Sequence, residues 1–249
     1  MLKVLLLVSS FWMSTYAMSS LEVAKRAYDV VSGYESSVSS TTMVLKNKSG
    51  EKNIRKMQIK KLEDINGDKS LITFLYPSDI KGTKLLSFEL IAQDDKQWLY
   101  LPALKRIKRI SARNKSGSFM ASEFSYEDIS SQNYKNYTYI GDALEVEIDS
   151  KNYFQIFRIP KAENSGYSKQ ILYVEKKTFL IRFGEYYDRQ NRIIKKIEFL
   201  EYLNIDGIYR IKKIKMTNLQ NSKSSMLIWD EDNIKQKLGN REFSKRALK

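Results

Sequence analysis

The sequence of 249 residues contains no histidine and no cysteine. Without these two residue types the chain cannot build a Ser-His-Asp triad, a cysteine nucleophile, a disulfide, a zinc finger or an iron–sulfur cluster. Histidine is also the side chain most often used for general acid–base catalysis. Any catalysis would rest on carboxylates, lysine, tyrosine or serine, so we predict that the protein is not an enzyme and needs no metal or other cofactor.

Proline and glycine are also scarce, with 3 and 10 residues, and no linker or low-complexity segment interrupts the chain. Hydrophobic residues make up 42% of the sequence and charged residues 29%, which is typical of a folded globular protein. We therefore predict a single domain over residues 18–249.

Residues 1–17 have the order of a secretory signal peptide. Lys3 supplies a positive charge, an apolar run of about ten residues follows from Val4 to Met13, and small residues precede Ala17. Such a run is well short of the roughly 18 to 20 residues that span a bilayer as a helix. We predict cleavage near Ala17 and export, with a buried first helix or a retained anchor as the alternative. Because cysteine is absent, no lipid anchor can be attached at the cleavage site.

Beyond this segment the periodicity of apolar residues changes from helical to strand-like. Ser20 is the predicted N-cap of a helix that ends at Gly33. From Ser37 the period is two, and about eleven strands follow with tight turns, apart from an irregular stretch at 102–132 with a short helix at 123–129. The prediction is a mainly β fold with few helices (α+β), whose antiparallel sheet must curl or close. A curved sheet with few helices to cover it is expected to leave an apolar cavity.

Three runs of residues carry a resemblance to a known family. They are Pro-Ser-Asp-Ile-Lys-Gly-Thr at 77–83, Trp-Leu-Tyr-Leu-Pro-Ala-Leu-Lys-Arg-Ile-Lys-Arg at 98–109, and Gly-Ser-Phe-Met-Ala-Ser-Glu-Phe-Ser-Tyr-Glu-Asp-Ile at 117–129. Through them the chain resembles the LolA-like outer-membrane lipoprotein-sorting proteins of bacterial envelopes. The resemblance implies a strongly curved sheet forming an incomplete barrel, with helices as a lid over a hydrophobic cavity. It also implies a periplasmic carrier of lipoprotein acyl chains, although this sequence lacks the lipidated cysteine of the membrane-tethered receptor with the same fold.

An acyl-chain carrier needs apolar side chains that face cargo but not solvent. Because the side chains of the predicted strands alternate between two faces, and because the resemblance implies a lid, we expect a group of large apolar residues to form the cavity wall and lid. The candidates are Phe74, Leu86, Phe88, Leu90, Trp98, Tyr100, Phe119, Met120 and Phe124. The alternative is that they are ordinary core residues, since inward-facing side chains fill most small barrels.

The chain carries 43 Lys and Arg against 29 Asp and Glu, and part of this excess is concentrated at 96–122, where no acid occurs. Such a patch suits anionic lipid headgroups or an acidic protein partner. A solvated basic face is the alternative, and export argues against nucleic acid. The docking candidates are Lys105, Arg106, Lys108, Arg109 and Arg113.

Three acidic pairs, Asp94-Asp95, Glu127-Asp128 and Glu231-Asp232, are predicted to be solvated turns or caps. The leading hypothesis is then a soluble periplasmic carrier that moves lipoprotein acyl chains or other lipids towards the outer membrane without covalent transfer. Its partners would be an inner-membrane transporter and an outer-membrane acceptor. The alternative is a periplasmic adaptor for a membrane lipid transporter that carries no cargo itself. A carboxylate enzyme acting on lipid or glycan is the third and least favoured hypothesis.

Overall fold

The computed structural model describes residues 17–130 and 132–249. The predicted signal peptide therefore lies outside the described residues except for Ala17, and its cleavage stays a prediction. Within the two described ranges, no helix combines the length and the apolar character needed to cross a membrane.

The first helix, α1 (Ser20–Asp29), starts one residue earlier than predicted. Its N-cap is Ser19, whose hydroxyl accepts from the backbone N–H of Glu22 at 3.2 Å. Ser20 is instead buried and donates to the carbonyl of Ile140 at 3.1 Å, which ties the helix to the other half of the chain. Val23, Ala24 and Ala27 form the buried face of the helix.

The strands of the described residues belong to one 14-stranded antiparallel sheet. In chain order they are β1 (Ser36–Lys46), β2 (Lys52–Leu62), β3 (Lys69–Tyr76), β4 (Lys84–Phe88), β5 (Lys96–Leu101), β6 (Arg106–Ile110), β7 (Tyr137–Tyr139), β8 (Leu144–Ile148), β9 (Lys151–Pro160), β10 (Tyr167–Glu175), β11 (Ile181–Asp188), β12 (Ile193–Ile205), β13 (Ile208–Asn218) and β14 (Ser224–Ile234). The short helix α2 (Tyr126–Ile129) is held by a capping box between Ser125 and Asp128.

The strand order is β6-β5-β4-β3-β2-β1-β14-β13-β12-β11-β10-β9-β7, and β8 pairs with β9 as well. Two meanders therefore meet where β1 pairs with β14, near the two ends of the described chain. The path ends at β6 on one side and β7 on the other, so the sheet does not close. The predicted incomplete barrel of antiparallel strands is confirmed.

The edge strand β6 was not predicted, because it lies in the stretch 102–132 that was expected to be irregular. Its sequence Arg-Ile-Lys-Arg-Ile places charges on both faces, so the apolar alternation that marks a strand is missing. Basic side chains on an edge strand are a common protection against pairing with another chain.

The two faces of the sheet carry separate apolar clusters. The inner face, which lies under α1, carries the larger one and includes Met57, Ile72 and Ile156. The outer face of β3 to β6 carries a smaller cluster that is covered by residues 235–249, here called the C-terminal strap. Lys84 helps to hold this strap, because its ammonium donates to the carbonyl of Ala247 at 2.9 Å.

Candidate functional site

A cavity of about 250 Å³ lies between the inner face of the sheet, α1 and the segment that contains α2. For comparison, an apolar cavity of about 150 Å³ is enough to bind benzene. Ala24 and Ala27 of α1 are buried and line this cavity, and their short side chains leave the space open. The apolar lining from the strands consists of Met57, Ile59, Ile72, Ile156, Leu172, Ile181, Ile197, Phe199, Ile211, Ile214, Leu227 and Trp229.

Residues 117–130 cover part of the cavity and are tied to strands from both halves of the sheet. Arg55 of β2 donates to the carbonyl of Met120. On the other side, the backbone N–H of Glu123 donates to the Ser225 hydroxyl at 2.9 Å, and Lys195 pairs with Asp128 at 3.2 Å. These contacts hold the cover across the width of the sheet.

Four of the predicted wall residues belong to the inner core. Phe119 and Phe124 are fully buried and line the cavity itself. Phe74 is also buried and packs against Phe119 with ring centroids 5.8 Å apart, behind the cavity wall. Met120 is partly buried against the same core, with a positive φ of 49° that is unusual for a residue with a side chain.

The structure places four of the other candidates on the opposite face. Leu86, Phe88, Trp98 and Tyr100 belong to the outer cluster under the C-terminal strap and do not line the cavity. Their neighbours Leu85 and Leu99 occupy the inner core instead. The reason is that β4 and β5 are apolar on both faces, so alternation alone did not fix which face is inner.

Leu90 belongs to neither cluster, since it follows β4 in a turn. Its backbone N–H donates to Asp95 at 3.2 Å, and its side chain is half-buried. The predicted strand over 83–91 is therefore too long, because β4 ends at Phe88.

The five docking candidates, Lys105, Arg106, Lys108, Arg109 and Arg113, are all exposed, but they do not form one face. Arg106 and Lys108 stand opposite Leu101 and Leu99 and share the inner side of the sheet, whereas Arg109 stands opposite Trp98 on the outer side. Lys115, in the same acid-free stretch, is buried and lies 3.5 Å from Asp94. The charge therefore surrounds the β6 edge.

The acidic pairs are less solvated than predicted. Asp232 lies within β14, not in a turn, and forms a buried ion pair with Arg210, Nε to Oδ2 2.7 Å. Asp128 is buried against Lys195. Burial raises the pKa of Glu127 to about 7, although Ser165 and Gly166 donate to its carboxylate.

Sequence reasoning also missed a basic residue on the cavity wall, Arg158 of β9. It is only 4% exposed and lines the cavity together with Tyr139 and Tyr186. The position of Arg158 on the inner face could have been predicted from the sequence. Phe154, Ile156 and Arg158 occupy alternate positions of one strand and therefore share its inner face. A charge at the third inward position breaks an otherwise apolar series.

The fold has counterparts among known proteins. A family model described only as an uncharacterized protein matches residues 66–249. A predicted outer membrane lipoprotein-sorting protein domain from Vibrio parahaemolyticus is 38% identical in sequence, with a TM-score of 0.87 over 92% of this chain and 97% of that one. The chain belongs to the outer-membrane lipoprotein-sorting family.

Two further solved structures are similar to this chain. A DUF1329 family protein from Desulfovibrio piger is 29% identical, with a TM-score of 0.86 over 92% of this chain and 98% of that one. A LolA superfamily protein from Nitrosomonas europaea shares the fold at 19% identity, with a TM-score of 0.76 over 93% of this chain and all, 100%, of that one. No curated protein matches this chain in sequence.

Proposed function

We propose that the protein is a periplasmic carrier that takes acyl chains of lipoproteins or other lipids into its cavity and releases them towards the outer membrane. The observation that carries this proposal is the apolar space of about 250 Å³ between α1 and the inner face. Membership of the lipoprotein-sorting family supports it. No covalent bond is formed or broken in such a transfer, so the carrier needs no catalytic residue.

The energy of capture comes from removing the acyl chain from water. Each methylene contributes about 0.8 kcal/mol, so a twelve-carbon tail contributes on the order of 9 kcal/mol before the entropy of association is subtracted. Release requires an acceptor that holds the same tail more strongly. We propose that an inner-membrane transporter donates the acyl chain to the carrier and that an outer-membrane acceptor receives it.

The β6 edge is our proposed docking surface for an anionic membrane or an acidic partner. Each basic side chain near an anionic membrane contributes about 1 kcal/mol, and that attraction falls with salt. Reversing two charges, Arg106→Glu with Lys108→Glu, is expected to weaken binding to phosphatidylglycerol vesicles at least tenfold. Vesicle sedimentation tests this, with Lys48→Glu and Lys52→Glu on the exposed β1–β2 hairpin as the matched control. Equal losses for both pairs would contradict the docking surface.

Two neighbouring residues of β3 provide a matched test of the cavity. Ile72 lines the cavity and Leu71 belongs to the outer cluster. A buried amide without a partner costs about 1–3 kcal/mol. We therefore expect Ile72→Gln to weaken the binding of dodecanol roughly five- to hundredfold, measured by calorimetry on delipidated protein.

Leu71→Gln serves as the control, since it disturbs the fold to a similar degree but should leave dodecanol binding unchanged. Circular dichroism verifies that both variants fold. An adaptor without cargo would bind no dodecanol in any form. If Leu71→Gln alone lost dodecanol binding, the ligand would lie on the outer face of the sheet, and the cavity would not be the binding site.

A further inference from the structure

The cavity wall contains a buried cation whose charge is not balanced. Nε of Arg158 donates to Oε1 of Gln170 at 2.7 Å, and one terminal nitrogen donates to Oε1 of Gln132 at 2.9 Å. Both of these partners are neutral amides, and the hydroxyls of Tyr139 and Tyr186, which also hydrogen-bond to the guanidinium, are neutral as well. None of the ion pairs found within residues 17–130 and 132–249 includes Arg158. Arginine keeps its charge in proteins, so the cavity holds a permanent positive charge.

Asp128, an acidic residue that also lines the cavity, already has partners within the protein. Asp128 pairs with Lys195 at 3.2 Å and accepts from the hydroxyl of Tyr167 at 2.9 Å. Its charge is thus compensated within the protein. A buried charge is costly unless it is paired, which makes the Arg158 guanidinium a strong attractor for an anion that enters the cavity.

The surroundings hold this guanidinium in a fixed orientation. It stacks on Tyr137, with its central carbon 3.8 Å from the ring centroid. The hydroxyls of Tyr139 and Tyr186 face the same group, and burial raises the pKa of both. These hydroxyls therefore keep their protons at neutral pH and can donate to an anion beside Arg158.

An apolar tail has room next to this polar group. Ile156 precedes Arg158 by two residues on β9 and lies beside Leu172 of β10, to which it is directly paired. Ile197 and Ile214 continue the apolar lining on β12 and β13. One ligand could thus have its charged head at Arg158 and its hydrocarbon tail along these strands.

We infer that the cavity prefers an anionic lipid, whose carboxylate or phosphate head lies against Arg158, over an uncharged acyl chain. This inference rests on the proposed carrier function, because it presupposes that a tail enters the cavity. It narrows the cargo class, since the acyl groups of a lipoprotein are attached through neutral amide and ester bonds.

Three ligands with the same tail test the preference, namely dodecanoate, dodecyl phosphate and dodecanol. Titration calorimetry at neutral pH is expected to show that both anions bind the unmodified protein at least tenfold more tightly than dodecanol. Acetate and inorganic phosphate are expected to bind at least a hundredfold more weakly than the tailed anions. Equal affinities for dodecanol and the anions would overturn the inference but leave the carrier function standing. Failure of all three tailed ligands to bind would contradict both.

Variants then locate the head group. Arg158→Met is expected to reduce the preference for the anions at least tenfold while dodecanol affinity changes less than threefold. Tyr186→Phe, a milder change beside the same guanidinium, should reduce the preference at least threefold and covers the case in which Arg158→Met does not fold. Lys61→Met is the control: it removes another cavity cation, which lies near Asp232, and should leave the preference unchanged. A preference that survives in Tyr186→Phe and is lost in Lys61→Met would place the head elsewhere and overturn the assignment.

Discussion

Filling the cavity from its helix side should stabilise the empty protein and abolish cargo binding. Ala27 is 4% exposed and lines the cavity, so Ala27→Phe directs a ring into the open space. A cavity of about 250 Å³ exceeds the roughly 150 Å³ that accommodates benzene, so the ring fits without displacing the sheet. Burying it is worth about 1.5–3 kcal/mol, and the same substitution in a solid core would instead cost about 1–3 kcal/mol through overpacking.

The sign of the change that Ala27→Phe causes in the free energy of unfolding therefore distinguishes a hollow interior from a solid one. Urea unfolding of delipidated protein measures it. The ring also takes the place of about four methylenes of the ligand, which corresponds to about 3 kcal/mol and a roughly hundredfold loss of dodecanol affinity. Lys25→Phe is the control, because it adds the same ring on the exposed side of α1. A destabilised Ala27→Phe variant with unchanged dodecanol binding would refute the reasoning.

Three further outcomes are expected from substitutions that leave the volume of the cavity open. Trp98→Ala should lower the free energy of unfolding by about 3–5 kcal/mol, because the ring is buried under the C-terminal strap, and should leave dodecanol binding unchanged. Asp232→Ala should cost about 3–5 kcal/mol in urea unfolding, since it leaves Arg210 buried without its carboxylate partner. Burial raises the pKa of the Glu127 carboxyl to about 7. The folded protein therefore binds this proton more strongly than the unfolded chain does. The resulting stabilisation is complete below about pH 4.5 and is lost as the pH rises through 7. Glu127→Gln should thus be more stable than the unmodified protein by about 1–3 kcal/mol at pH 8, and equal to it near pH 4; an increase at pH 4 of the same size would contradict this origin.

The sheet could be predicted from the sequence because its strands alternate strongly and its turns are short. The parts of the sheet that were predicted wrongly have a common cause, which is the lack of a clear alternation between apolar and polar residues. Strand β6 carries charges on both faces and gave no apolar period, whereas β4 and β5 are apolar on both faces and gave no information on which side is inner. The outer face is covered by the C-terminal strap, a segment without regular periodicity. The sequence pattern therefore did not indicate a second apolar cluster on that face.

The cavity was predicted as a consequence of curvature, but its polar content was not. Phe119 and Phe124 were expected in the wall or the lid of the cavity, and both line it. Arg158 was overlooked because charged residues were sought in clusters, whereas this one is isolated in the chain and acquires its neighbours only when β7, β9 and β10 pair. Long-range pairing of this kind cannot be read from local spacing.

Native mass spectrometry of the protein isolated without detergent tests the carrier function most directly. We expect the folded chain to carry an added mass of lipid that disappears when the chain is unfolded, and we expect this mass to be absent from Ala27→Phe prepared in the same way. A bare chain that also takes up neither dodecanoate nor dodecanol would contradict the proposal that this cavity carries lipid.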